Sequence, residues 1–473
     1  MRGAILVSFF VSAMLFGQIP ELIERGNLAE AERQISVALA SNPNDANLNN
    51  LLGVVAAQSG QYEKAERSFL KVLRLAPGAA SVQMNLGRLY VEHLESDVHA
   101  AKKGVGVYRE VLKEHPANAE ARYQLAFLLM REDEAQESLD ELKVLDEASR
   151  ATPQALAVAL ADHALLGSLK EARSVLARML ASSDFTAADA TLAFWAIEHA
   201  RRFDLGIALG EGAVAKLGPR ADLLMWLARM AYGNQDRKQS LSYLAHARDL
   251  APENAAIHFF FGIVALEMEV PLEATASLNE AVRLAPDNPY FRYALGAMLS
   301  VGRDAELAIP QFEAYCLLKP TDPRGRFGLG SAYLESNQYQ KAFEVLTPLV
   351  HEPLTRIGAH LMLGRVAKAQ SRLVDAEREL KESLRLLPEQ PDALAELGHV
   401  YFRMRRYSEA QKQLEAALRQ QPEHYEANLW LLALYQRTRD SRKESLAKQV
   451  EELREKRAEK VASLWKTIEV KPF

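Results

Sequence analysis

The stretch PDALAELGHVYFRMRRYSEAQKQLEAALRQQP, residues 391–422, decides the fold. Large apolar side chains recur in it at helical spacing, as Leu394, Leu397 and Tyr401 and then Leu414 and Ala417, which makes two amphipathic helices rather than strands. Gly398 and Ala410 stand twelve positions apart, one in each half. Small residues so placed are what two antiparallel helices need where their backbones approach most closely. Pro422 closes the second helix, and Pro391 sits where the first one opens.

Working outward, prolines fall at Pro43, Pro77, Pro116, Pro252, Pro286, Pro320, Pro388 and Pro422, with gaps of 34, 39, 136, 34, 34, 68 and 34. Every gap except 39 is a multiple of 34. Repeat starts follow at 46, 80, 119, 153, 187, 221, 255, 289, 323, 357, 391 and 425, and a fixed period of this length is the mark of a solenoid. The eighth position is small in Gly53, Gly87, Ala126, Ala228, Gly262, Gly296, Gly330, Gly364 and Gly398; the twentieth is small from Ala31 through Ala410. Thr152-Pro153, Asn288-Pro289 and Asp322-Pro323 read as a helix cap followed by proline at the first helical position. One helix pair cannot bury its apolar face alone, so the pairs must stack.

These residues resemble the tetratricopeptide repeat family, residue 391 to residue 422 almost position for position, and the resemblance covers residues 18 to about 440. It implies an all-α, right-handed α-solenoid superhelix of helix-turn-helix units, about twelve or thirteen of them, running over residues 18–436. Departures are local. Leu160 and Phe194 replace the small eighth residue, and Arg150 and Asp184 stand where proline is expected, so the units at 153 and 187 should pack less regularly. The gap of 39 requires a five-residue insertion near Glu95 to Lys103. Residues 437–462 are strongly charged and read as a polar helix covering the last apolar face, and 463–473 as a loose tail.

The resemblance also implies a concave groove lined by positions 2, 5, 9, 12 and 13 of each first helix. Those positions hold Tyr123, Phe127 and Arg131; Trp195 and His199; Met225, Arg229 and Tyr232; Phe259; Tyr290 and Tyr293; Arg324 and Phe327; Arg365 and Lys368; and Phe402 and Arg403. Aromatic and arginine side chains are favoured interface anchors because they offer much contact area per ordered side chain. An aromatic at position 5 also packs in part on neighbouring repeats. Family members that grip a carboxylate tail need lysine at position 5 and asparagine at position 9, followed by asparagine at position 6. Asn85 supplies the last, but Asn50, Val54, Tyr123 and Phe127 stand where the rest of that clamp would be. The expected partner is a protein or peptide: an extended or helical segment with apolar anchors and some acidic residues, lying along the repeats from 119 to 323.

Composition narrows the function classes. With 49% apolar and 25% charged residues in 473, the chain is an ordinary folded protein. A formal net charge of −5 provides no global basic field for nucleic acid, which leaves a nucleic-acid-reading helical repeat as the weaker alternative. Cys316 is the only cysteine, so neither an intramolecular disulfide framework nor a cysteine zinc cluster is available, and it reads as a small buried apolar residue. Eleven histidines form no zinc-ligand spacing; His93 and His99, six apart, do not align on one helix. Gly328 and Gly330 before Ser331 follow no strand, so they make neither a phosphate loop nor a nucleophile elbow. No catalytic residue, cofactor or metal is expected. Residues 1–17 carry Arg2 and an apolar run from Ala4 to Phe16, the length of a signal-peptide core and too short to span a bilayer. That reading places the chain outside the cytoplasm after cleavage; retention of Met1 would make the run the first helix of a cytoplasmic adaptor.

Overall fold

The computed structural model describes residues 19–301 and 304–464, which are helices and short turns with no strand among them. The apolar start at 1–17 and residues 465–473 of the expected tail lie outside the described residues. The chain divides into two compact units between Pro219 and Arg220.

In the first unit the first helices of the repeats are Ala46–Gln58, Ala80–Glu92, Ala119–Arg131, Pro153–Leu165 and Ala187–His199. Their second helices are Tyr62–Leu75, Ala100–Glu114, Ala135–Val144, Leu169–Ala181 and Phe203–Leu217, and Leu28–Ser41 precedes them. In the second unit first helices begin at Ala221, Ala255, Pro289, Pro323, Arg356, Pro391 and Tyr425. Every expected repeat start is thus a helix start, save that the helix expected at 357 begins one residue early. Within each unit most helices pack on their sequence neighbours, and several first helices also touch the next first helix, giving the all-α stacked repeat.

Local chemistry explains the regularity. Asp45, Asn118, Thr152, Asn254 and Asp322 accept hydrogen bonds from the opening amides of the helices they precede, and Asn288 accepts from Tyr290 N at 3.0 Å. First helices close on a left-handed residue at position 15: Gly26, Gly60, Asp133, Gly167, Arg201, Gln235, Glu269, Asn337, Ser371, Arg405 and Arg439, with φ between 54° and 74°. At Arg405 the turn is a Schellman motif, in which Arg405 N bonds Phe402 O at 3.0 Å and Arg406 N bonds Tyr401 O at 2.9 Å.

The small eighth position has a definite cause. A Cβ on Gly53 would lie 2.4 Å from Phe69, one on Gly87 2.5 Å from Tyr108, and one on Gly398 2.6 Å from Leu414. The large residue at position 24 therefore fills the space that the glycine leaves open, and the backbone carbonyl of Ala410, at position 20, also stands 3.3 Å from that Cβ position on Gly398. A further regularity is absent from the residue types themselves. Asn49, Gln83, Arg122, His258, Arg292 and Asn428, all at position 4, each place a side-chain nitrogen 2.7 to 3.0 Å from the carbonyl of the proline six residues earlier. This clasp satisfies a carbonyl at the end of one repeat from the first turn of the next.

The departures fall where the sequence puts them. The insertion forms the turn at residues 93–99, held by Lys103 Nζ at 3.0 Å from both Glu66 and Asp97 and by Tyr62 Oη at 3.0 Å from Asp97. Lacking a closing proline, the second helix of the repeat at 119 stops at Val144, and Asp146 caps a four-residue helix, Glu147–Arg150. At the junction of the repeats at 153 and 187, first helix packs on first helix, whereas at the other repeat junctions within each unit the preceding second helix packs on the next first helix. Phe194 and Gly210 invert the usual small and large residues at positions 8 and 24. The last first helix ends at Thr438, and the charged helix that follows runs Lys443–Leu464, burying Leu446 and Val450 against the array. Cys316 is half-buried, and burial pushes its thiol pKa up.

Candidate partner-binding faces

In the first unit the sequence-predicted residues Tyr123, Phe127, Arg131, Trp195 and His199 come together on the first-helix face. Tyr123, Phe127 and Trp195 pack half-buried against one core cluster with Ala126, Ala161 and Ala196. Small Ala157 and Ala161 at positions 5 and 9 of the intervening repeat leave the gap across which Trp195 reaches. The Arg131 guanidinium lies 3.8 Å from the centroid of the Trp195 ring and its Nη2 is 3.0 Å from Glu95 Oε1. The His199 ring stacks parallel to Trp195, with centroids 5.6 Å apart, and its Nε2 is 3.3 Å from Asp133. Burial pushes the Tyr123 phenol up to about 12, helped by the charge of Asp189.

In the second unit the predicted residues divide. Phe259 stacks on Phe291 of the next repeat at 4.7 Å and Tyr293 leans on Phe312 and Tyr315 of its own repeat, so both serve packing within the array. Phe327 lies against Gly358, where a Cβ would come within 2.8 Å of its ring. Tyr290 is 59% exposed and Arg229, beside the Trp226 ring at 4.7 Å, is exposed; Met225 is half-buried. Arg324 is occupied by the cap residue Asp322, 2.5 Å from its Nη2, and Tyr232 bonds Glu267. Arg403 donates to Lys368 O at 2.7 Å and to Ser371 Oγ at 3.0 Å, and Phe402 packs on Tyr407.

Arg365 and Lys368 converge on one carboxylate. Arg365 Nε is 2.8 Å from Glu396 Oε1 and Lys368 Nζ bonds Glu396 Oε2, all three being mostly shielded. They form the floor of a cavity of about 480 Å³ that also meets Tyr339, Asp392, His424 and Trp430. His424 Nε2 stands 3.2 Å from Asp392 Oδ1, which lowers the Asp392 pKa, while His424 Nδ1 accepts from Ala427 N at 3.1 Å and caps the next helix. Trp430 stacks on His399 at 3.5 Å. Glu396 and Trp430 occupy position 6, which the groove positions 2, 5, 9, 12 and 13 leave out; the carboxylate-clamp pattern, with its polar residue at position 6, was the signal that this position faces the same way. Among the described residues no group of three histidine, cysteine, aspartate or glutamate side chains is placed to hold a metal ion. No helix among them is long and apolar enough to cross a membrane.

Comparison with known proteins agrees with the geometry. Models of the tetratricopeptide repeat match residues 16–92 and residues 367–433. No curated protein matches. Similar solved structures include the APC/C hetero-tetramer Cut9-Hcn1, 15% identical over 96% of this chain and 94% of that one at a TM-score of 0.40. Yeast Tom70 is 15% identical over 93% of this chain and 99% of its own at 0.35, and MamA from Desulfovibrio magneticus RS-1 is 22% identical over 36% of this chain and 96% of its own at 0.34. The assignment rests on the repeat models near both ends together with the recurring helix starts, left-handed caps and small-on-large contacts between them, which keep a 34-residue register apart from the five-residue insertion and the local departures. The chain carries tetratricopeptide repeats at residues 16–92 and 367–433, and the helix pairs between them repeat the same pattern.

Proposed function

We propose that the chain is a non-catalytic protein–protein interaction scaffold whose first-helix faces hold an extended or helical segment of a partner, in an assembly of the cell envelope or a secretion system. One observation carries this reading: Tyr123, Phe127, Arg131 and Trp195, from repeats at 119 and 187, form a single half-exposed aromatic and cationic patch. Such a patch offers rigid contact area with a fixed charge, the composition of an interface centre. Replacement of Trp195 by Ala, alone and with Tyr293→Ala, is expected to weaken capture of partners by the tagged full-length chain while leaving its helical circular dichroism intact. Unchanged capture by both variants would remove the face from the interaction.

The placement outside the cytoplasm rests on the signal-like residues 1–17. A second reading is favoured by the register: Ile19 occupies the eighth position of a repeat beginning at 12, is buried, and lies inside the family match that starts at residue 16. On that reading the apolar start is the first helix of the array and the scaffold works in the cytoplasm. Mass spectrometry of the mature N-terminus from the native host separates the two, since cleavage near Gln18 supports export and retained Met1 supports the adaptor.

A further inference from the structure

Asp162 lies at position 10 of the repeat at 153, and it has no solvent exposure. Elsewhere that position holds a buried apolar residue, such as Val55, Leu89, Leu128, Val264, Val366 or Val400. Its Oδ2 is 2.7 Å from Ser138 Oγ, and Ser138 Oγ is 2.8 Å from the Ala126 carbonyl; Oδ1 has no hydrogen-bond partner. A serine hydroxyl carries one proton. Ser240, at the matching position of another repeat, donates its proton to the Ala228 carbonyl at 2.9 Å. If Ser138 does the same toward Ala126, the proton in the 2.7 Å contact belongs to Asp162, which must then be a neutral acid. An ionised carboxylate here would be a buried, unpaired charge.

The charged groups on the elements around it do not supply a counter-charge. Arg122 of the helix at 119 turns to Glu141, and Lys143 of the helix at 135 to Asp140. Asp189 of the helix at 187 bonds Thr186, Glu171 of the helix at 169 acts on His163, and Glu147 and Arg150 of the short helix are exposed. Ser138 is the sole side chain that acts on the carboxyl, and burial pushes its pKa up to about 8.

We infer that Asp162 is a proton-held latch: the neutral acid ties the repeats at 119 and 153 together through Ser138, and loss of its proton loosens this joint and, with it, the patch formed by Tyr123, Phe127, Arg131 and Trp195. The geometry suits such a role, because the latch sits where the second helix at 135 is cut short and packs on the first helix at 153. An acid whose pKa is raised in the folded state stabilises the fold fully below its unfolded value and loses that contribution as pH rises to the folded value.

Hydrogen exchange of the full-length protein, corrected for base-catalysed chemistry, tests this at about pH 6 and about pH 8, where the opening equilibrium of residues 119–165 is expected to rise by about tenfold per pH unit, or about a hundredfold. Asp162→Asn and Asp162→Val should both abolish the slope, the second restoring the residue that other repeats carry. A wild-type chain with no excess slope, or a slope kept by either variant, would overturn the latch. Helices of the second unit serve as the internal control, since a slope there as well would assign the effect to something other than Asp162.

Discussion

Leu414 occupies the space that a side chain on Gly398 would need: a Cβ built on that glycine falls 2.6 Å from Leu414 Cγ and 3.3 Å from the Ala410 carbonyl. The small residue and the large one are therefore a single packing unit, repeated as Gly262 with Leu278, Gly330 with Leu346 and Gly364 with Leu380. Gly398→Ala is expected to destabilise the second unit by about 1 kcal/mol, since overpacking of about 1–3 kcal/mol exceeds the gain of about 1 kcal/mol in helix propensity. Leu414→Ala leaves a cavity and costs about 2–5 kcal/mol. The double variant should be more stable than the two losses added together, as read from urea unfolding; simple additivity would show that the pair is not coupled.

The left-handed position 15 is glycine only at Gly26, Gly60 and Gly167 among the described residues, and elsewhere a residue with a Cβ bears the strain. Arg405 and Gln235, both exposed, have φ of 63°. A Cβ in this region costs about 1–2 kcal/mol, and glycine returns about 0.4–1 kcal/mol of that through the freer unfolded chain. Arg405→Gly and Gln235→Gly should each stabilise by about 0.5–1 kcal/mol, raising the unfolding midpoint. Gly60→Ala should lower it, and a midpoint that moved the other way in either case would contradict the strain.

The fold was legible because proline, glycine and alanine do their work through backbone geometry, so their positions repeat as residue types. Helix starts at 46, 119, 255 and 391 could be counted from them. The position-4 clasp was not legible, because Asn, Gln, Arg and His share a target and not a chemistry, and each alone looks like a surface residue. The site was legible only in part. Arg131 and Trp195 were named from separate repeats, and their stacking follows from the small Ala157 and Ala161 between them. Arg324 and Arg365 were named as groove residues, yet local carboxylates, Asp322 and Glu396, engage them. Period alone carries no information on which charged neighbour reaches a given arginine.

The clasp itself is testable at Asn428, which is fully buried and whose Nδ2 lies 2.9 Å from the Pro422 carbonyl and 3.0 Å from the His424 carbonyl. Asn428→Ala leaves the Pro422 carbonyl without this donor, while the His424 carbonyl keeps the backbone N–H of residue 428 at 3.1 Å, at a cost of about 1–3 kcal/mol. Asn428→His and Asn428→Gln should recover part of the loss, because His258 and Gln83 reach the same carbonyl from the same position at 2.8 and 3.0 Å. If alanine is as stable as asparagine, or if neither replacement improves on alanine, the carbonyl does not need the clasp.

His399 is one group through which acid should destabilise the second unit. Its ring stacks on Trp430 at 3.5 Å and its Nδ1 is buried without a hydrogen-bond partner. Burial, reinforced by the charge of Lys368, pushes its pKa down to about 4. A base depressed in the folded state contributes stability that is complete above its unfolded value, about 6.5, and is lost as pH falls through that value toward about 4. The protein should therefore lose on the order of 2 kcal/mol over that interval through this one group, allowing for partial solvent screening. His399→Phe keeps a ring on Trp430 and cannot take up a proton, so its unfolding free energy should fall less steeply between about pH 6.5 and about pH 4. Equal slopes for the two proteins would mean that His399 is protonated as readily in the fold as out of it, and that its stacked ring is open to water.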